Sequence, residues 1–170
     1  MRTSAVRGLA QRFRNSEFQL CIPAISASER TESDRYLLRF ADFEDRLARL
    51  GLQRAEHLLP MLYLDVCFPD HGLLSDVVML TLERKLHQVL HPTVAFEYQE
   101  YCVERGLDPN AAPSDRKWRN AKCDVQVAWA HIWHGADVLV TADGNFLKPT
   151  KLPKLLALGA KRITLPQNFS

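Results

Sequence analysis

The last third of the chain alternates helix and strand in a way that few folds allow. Residues 123–133 predict a helix, and residues 137–141, DVLVT, form the short apolar run typical of a fully buried strand. Residues 151–158 predict a second helix, Gly159 suits the left-handed position after it, and residues 161–165, KRITL, predict a last strand. Helix, strand, helix and strand with short links predict βαβ packing, a parallel sheet and therefore an α/β fold.

The earlier part of the chain is less regular, and nothing in it indicates a second domain, so one domain is expected over residues 1–170. Residues 18–23, FQLCIP, predict a short strand, followed by a helix that runs through Ser28, Glu29 and Arg30. Leucines and phenylalanines at three- and four-residue steps predict an amphipathic helix over residues 36–50. The remaining expectations are a helix within 1–15, a strand or extended loop over 58–68, helices over 76–90 and 98–106, and a loop over 107–115.

The composition excludes several classes of protein. No apolar run approaches the roughly 18 residues that span a bilayer, so no membrane partner is expected. The four cysteines form no CxxC pair, which argues against a zinc ribbon and fits reduced thiols in a cytoplasm. Residues 111–170 hold nine Lys and Arg against four Asp, a net charge of +5, which leaves −3 for residues 1–110 of a chain whose total is +2. This basic third suits a polyanionic substrate, although a solvated basic surface has the same composition.

Two acids are the strongest functional signal. Asp124 is placed at the start of the helix over 123–133, where the helix dipole stabilises an anion, and Asp143 follows the strand over 137–141 by two residues. This arrangement can bring both carboxylates to the carboxyl edge of a parallel sheet, where α/β folds bind ligands. A divalent cation or a shared proton would relieve their repulsion, and hard oxygen ligands select Mg²⁺ or Mn²⁺. The structural alternatives are a helix cap for Asp124 and a turn residue for Asp143.

The same segments resemble the PIN-domain nucleases. The resemblance lies in Asp124 with the VQVAWA helix after it, in ADVLVTADGNF, and in the ending LLALGAKRITLP. The runs KWRNAKCDV, TADGNF and TKLPKLLALGA are also similar, in this order, to a bacterial subgroup of PIN-like proteins. The resemblance implies a three-layer α/β/α sandwich with a central, mainly parallel sheet, a cluster of three or four acids, Mg²⁺ or Mn²⁺, and cleavage of RNA.

The resemblance also implies a set of site residues. Metal ligation falls to Glu29, Asp124 and Asp143, with Asn145 as a neutral oxygen ligand where many relatives have an acid. Thr141 is expected to orient a ligand or the attacking water. A bound ion would deprotonate a water and stabilise the charge that develops on the phosphate.

Two alignments with the family place the remaining acids differently. In the first, which we favour, residues 18–30 are the second strand and its helix, Glu29 is the family glutamate, and the opening strand with its Asp lies before Met1. Residues 58–115 are then an insertion and loop of the subgroup. In the second, residues 61–67, MLYLDVC, are the opening strand with Asp65 as first acid. The glutamate of this second alignment is Glu97, Glu100 or Glu104.

Basic residues near the acids are candidates for substrate binding. They are Arg119, Lys122, His131, Lys148 and Lys151. His131 lies seven residues after Asp124 and so on the same helical face, although a half-buried structural histidine is the more ordinary reading. Trp118, Trp129 and Trp133 can stack bases or pack the core.

The sequence therefore predicts a metal-dependent ribonuclease of PIN type, with RNA as substrate. Such an enzyme can be the toxin of a toxin–antitoxin pair, with an antitoxin protein as partner, and the helix over 36–50 can serve as core or as the surface of a homodimer. The alternative is a PIN-like module that has lost its first acid and binds RNA or protein without cleaving. A phosphatase of the DxD type is a weaker alternative, because Cys67 stands where Asp65 would need a second acid.

Overall fold

The computed structural model describes residues 2–29 and 35–169. In these residues the chain forms six α-helices, four short strands and three 3₁₀ helices. The α-helices are α1 (Arg2–Arg14), α2 (Phe40–Arg49), α3 (Val77–Leu90), α4 (Tyr98–Arg105), α5 (Arg116–Trp133) and α6 (Leu152–Ala157). The strands are β1 (Cys21–Pro23), β2 (Glu56–Leu58), β3 (Leu139–Val140) and β4 (Ile163–Thr164). The 3₁₀ helices are Ala24–Ser28, Pro69–His71 and Pro166–Asn168.

The strands form two parallel pairs. In the first pair Cys21 lies opposite Glu56, and in the second Leu139 lies opposite Ile163. Each pair is joined through a helix, α2 in the first and α6 in the second, which is the crossover that parallel strands require. The prediction of an α/β fold with parallel strands is confirmed.

Helix α5 lies at the centre of the molecule. It packs mainly against α3 and also contacts β1 and the 3₁₀ helix Ala24–Ser28. Val125, Ala128, Trp129 and Ala130 of α5 are buried in the largest apolar cluster, which also receives residues of α3, β3, α6 and β4. Asp124 lies on this helix, and Glu29 directly follows the 3₁₀ helix that packs against it.

The start of α5 corrects the first sequence reading. The helix begins at Arg116, with Asp115 as its cap, and not at residue 123. Asp124 thus lies more than two turns inside the helix, where neither a capping role nor the dipole of the helix start applies. The reason is that the polar stretch from 116 to 122 carries Arg119 and Lys122 on the buried side of the helix, which hides its apolar periodicity.

Two other segments differ from expectation. The helix expected through Ser28, Glu29 and Arg30 is a 3₁₀ helix that ends at Ser28; Glu29 is extended, with φ −74° and ψ 154°, and Arg30 lies outside the described residues. Asp65 is not in a strand, because it occupies an exposed turn with φ +64°, so the second alignment loses its opening strand. In the described ranges, no helix is both long and apolar enough to cross a membrane.

Candidate metal centre

Three predicted acids lie around one region of the surface. Glu29 follows the first 3₁₀ helix, Asp124 projects from the middle of α5, and Asp143 sits in the turn after β3. The pKa of Glu29 is raised, first by partial desolvation and then by the negative charges of Asp124 and Asp143. The charges of both aspartates therefore reach Glu29, and we refer to the three carboxylates as the acidic group. Glu29 itself is exposed, so its desolvation comes from protein atoms that surround the carboxylate without covering it.

A histidine that the sequence reading missed contacts Asp124. The Nε2 atom of His91 lies 3.0 Å from Oδ2 of Asp124, and the two side chains are 19% and 31% exposed. His91 is the residue directly after α3, and Pro92 follows it. The only signal in the sequence was this position at a helix end, which does not reveal the distant carboxylate it meets.

The turn after β3 gives Asp143 a fixed position. The hydroxyl of Thr141 accepts a hydrogen bond from the backbone N–H of Asp143 at 3.1 Å, and Oδ1 of Asp143 accepts one from the N–H of Asn145 at 2.8 Å. Such local bonds are typical of Ser, Thr and Asp in turns. Asp143 therefore has the turn role offered as its structural alternative, and it also contributes charge to the acidic group.

Lys151 closes one side of the site. Its ammonium donates to Oδ1 of Asn145 at 2.6 Å and also to the carbonyl of Leu90. The pKa of Lys151 is lowered, first by burial and then by the neighbouring charge of Lys148, while Asp143 and Asp124 oppose the shift. Lys151 and Lys148 are thus the two substrate-binding candidates that lie beside the acids, and Lys148 is exposed.

Arg119 is not available to a substrate, which corrects its predicted role. Its guanidinium is buried and donates to the carbonyls of Ser28 at 3.3 Å, Val66 at 3.2 Å and Asp65. Since Ser28 directly precedes Glu29, Arg119 ties the chain that carries Glu29 to α5. Its contribution to the site is positional.

The predicted substrate-binding roles of Lys122 and His131 are also wrong, because both side chains are buried and cannot reach a substrate. The ammonium of Lys122 is fully buried, 3.1 Å from Oε1 of the equally buried Glu83 and 3.6 Å from the ring centre of Phe96. His131 is 3% exposed, and burial lowers its pKa, with Lys161 adding to the shift and Asp137 opposing it. The structural reading of His131 therefore holds.

The remaining predicted residues lie elsewhere. Trp118 and Trp129 are buried in the core, and Trp133 stacks on Trp129 with ring centres 5.1 Å apart. Glu97 forms an ion pair with Arg84 at 2.8 Å. Glu100 and Glu104 are exposed on α4.

The donor chemistry fits a hard cation, but two of the four donors, Asp124 and Asn145, are engaged by other side chains. Carboxylates of Glu29, Asp124 and Asp143 and the amide oxygen of Asn145 are ligands that Mg²⁺ and Mn²⁺ prefer. Among the residues the structure describes, no group of three or more His, Cys, Asp or Glu side chains is close enough to hold a metal ion. His91 bonds Asp124 and Lys151 bonds Asn145, so ion binding requires these two contacts to open.

Comparison with known proteins adds no assignment. Neither the protein-family models, nor the curated proteins, nor the solved structures contain a match to this chain.

Proposed function

We propose that this protein is a Mg²⁺- or Mn²⁺-dependent ribonuclease of the PIN type, built on a three-layer α/β/α sandwich. The observation that carries the proposal is that the pKa of Glu29 is raised, first by desolvation and then by the negative charges of Asp124 and Asp143. Asp143 lies 114 residues after Glu29 in the chain, yet its charge contributes to the shift at Glu29. Like charges held in one group cost free energy unless a cation offsets them, so such a group points to a cation site.

In this proposal the chain's own residues have distinct roles. Glu29, Asp124 and Asp143 would hold the ion, and the amide oxygen of Asn145, which now accepts from Lys151, would be a further ligand. With the ion bound, the site would gain a more nucleophilic water and a positive charge that offsets the charge on the phosphate. Lys151, released from Asn145, and Lys148 hold the phosphate beside the acids. Thr141 keeps Asp143 in place through its hydroxyl.

Replacing Asp143 tests this proposal directly. Asp143→Asn retains an oxygen that can accept the N–H of Asn145, so the turn should persist while the charge is lost. We expect Mn²⁺-dependent cleavage of single-stranded RNA to fall by more than about 100-fold, since even partners of metal ligands cost 10–100-fold when removed. Thermal unfolding should be nearly unchanged.

The matched control is Asp137→Asn. Asp137 is an exposed aspartate that precedes β3, whereas Asp143 follows it, and Asp137 forms an ion pair with Lys161 at 2.7 Å. This variant should cleave like the wild type. Undiminished cleavage by Asp143→Asn would remove the proposed site.

A second candidate is a PIN-like module that binds RNA or protein without cleaving. The contacts of His91 with Asp124 and of Lys151 with Asn145 favour it, because they offset the acidic group without a metal. In that case the wild type binds RNA but releases no heat with Mn²⁺, and Asp143→Asn leaves RNA binding intact.

A further inference from the structure

A groove beside the acidic group has no role in the proposed chemistry. Its volume is about 450 Å³, and its walls include His91, Val94, Asp115, Arg116, Lys117 and Asn120. It lies between the first turns of α5 and the segment that follows α3.

One residue, His91, connects the groove to the acidic group. His91 lines the groove and also contacts Asp124 at 3.0 Å. Lys117 and Asn120 precede Asp124 by seven and four residues on α5, so all three lie on one face of the helix. At 1.5 Å per residue this stripe is about 10 Å long.

The charge of the groove suits an anion. Arg116 and Lys117 contribute two positive charges and Asp115 one negative charge. The Asp115 carboxylate is already engaged, because it accepts the hydroxyl of Tyr101 at 2.6 Å and the N–H groups of Lys117 and Trp118 at 2.9 and 3.4 Å. These donors offset part of its charge, and the side chains of Lys117 and Asn120 are exposed.

We propose that this groove binds the phosphate backbone of single-stranded RNA beside the phosphate that meets the acidic group. The proposal rests on the ribonuclease function and extends it by naming where the strand runs. With one phosphate per about 3.4 Å in a stacked strand, a stripe of about 10 Å spans about three nucleotides. Phosphate contacts position a strand without reading its sequence, so binding here should be independent of sequence.

The test is RNA binding without cleavage. The full chain is titrated into a fluorescently labelled eight-nucleotide oligouridine in EDTA, and anisotropy gives Kd at several salt concentrations. Lys117→Gln should raise Kd about fivefold at 0.1 M salt and reduce the slope of log K against log salt by about 0.7, the value for one contact with a single strand. Asn120→Asp, which adds a negative charge to the stripe, should also weaken binding.

The matched control is Lys85→Gln, which removes an exposed lysine of α3 that does not line the groove. It should leave both Kd and salt slope as in the wild type. If Lys117→Gln and Asn120→Asp bind like Lys85→Gln, the groove proposal is overturned even where the wild type cleaves RNA. If both variants weaken binding while Asp143→Asn leaves cleavage unchanged, the groove stands and the nuclease site falls.

Discussion

Lys122 carries its ammonium in the interior of the protein, where a lone charge would be very unfavourable. Oε1 of Glu83 lies 3.1 Å away and also accepts from Gln126 at 3.0 Å, while Tyr63 donates its hydroxyl to the other oxygen of Glu83 at 2.5 Å. Burial lowers the pKa of Lys122, and the charge of Glu83 opposes that shift. The buried ammonium of Lys122 and the buried carboxylate of Glu83 therefore stabilise each other.

Removing one partner should be costly. In Lys122→Met the side chain keeps its bulk, but Glu83 loses its counter-charge, so the free energy of unfolding should fall by about 3–5 kcal/mol. Urea denaturation at pH 7 measures this. Replacing both residues, as Lys122→Met with Glu83→Gln, should recover much of the loss.

The exposed pair of Lys161 and Asp137 is the control for this experiment. Lys161→Met should cost less than about 1 kcal/mol, because water screens surface ion pairs. A similarly small effect of Lys122→Met would mean that the ammonium is not buried in this way.

His131 makes stability depend on pH. Its pKa in the folded protein lies below the ordinary 6.5, chiefly because of burial. The unfolded chain then binds the proton more tightly, so this contribution is complete above about pH 6.5 and is lost as the pH falls. His131→Leu should flatten the decline between about pH 6.5 and 5, by at most about 1.4 kcal/mol per pH unit.

Urea denaturation across this pH range compares His131→Leu with the wild type. Parallel profiles for His131→Leu and the wild type would contradict the burial of a neutral imidazole at this position.

At the scale of elements, α5 organises both the core and the site. Its 18 residues carry Asp124, the tether Arg119 and the buried Lys122 on one helix. Gln126, also on α5, accepts the backbone N–H of Met61 at 3.0 Å and so fixes the segment after β2. An altered start of α5 would therefore disturb several segments at once.

The cap of α5 should contribute measurably to stability. Asp115→Ala removes an oxygen that accepts two backbone N–H groups and the hydroxyl of Tyr101, and should cost about 1–2 kcal/mol in urea denaturation. Asp115→Asn should retain most of the stability. Asp76→Ala at α3 is a smaller matched change, because Asp76 accepts only the N–H of Met79 among the capping bonds of that helix. A cost below about 0.5 kcal/mol for Asp115→Ala would show that the cap does not secure α5.

For the whole molecule, short apolar runs in the sequence predicted where strands form. The runs DVLVT and KRITL predicted a parallel pair, and β3 with β4 forms one, although each strand is shorter than expected. The early start of α5 could not be predicted in this way. Arg119 and Lys122 are polar yet buried, because their partners are the carbonyls of distant segments and Glu83 on α3.

In the site too, the acids were predicted from local patterns, whereas the contacts between distant residues were not. Glu29, Asp124 and Asp143 were predicted as a set, and the charges of the two aspartates contribute to the raised pKa of Glu29 after its desolvation. His91 was missed because its contact with Asp124 spans 33 residues and follows no periodicity. The bond between Lys151 and Asn145 depends on how the turn after β3 folds back, which side-chain identity alone does not indicate.

Isothermal titration calorimetry with Mn²⁺ tests most directly whether the three carboxylates form one cation site. It compares the wild type with Glu29→Gln, Asp124→Asn and the control Asp137→Asn. The proposed site predicts saturable heat for the wild type and Asp137→Asn, and none or far weaker binding for the other two. At 100 times the Kd, Mn²⁺ should also raise the stability of the wild type by about 2.7 kcal/mol. No heat from the wild type, or equal binding by Asp124→Asn, would contradict the site.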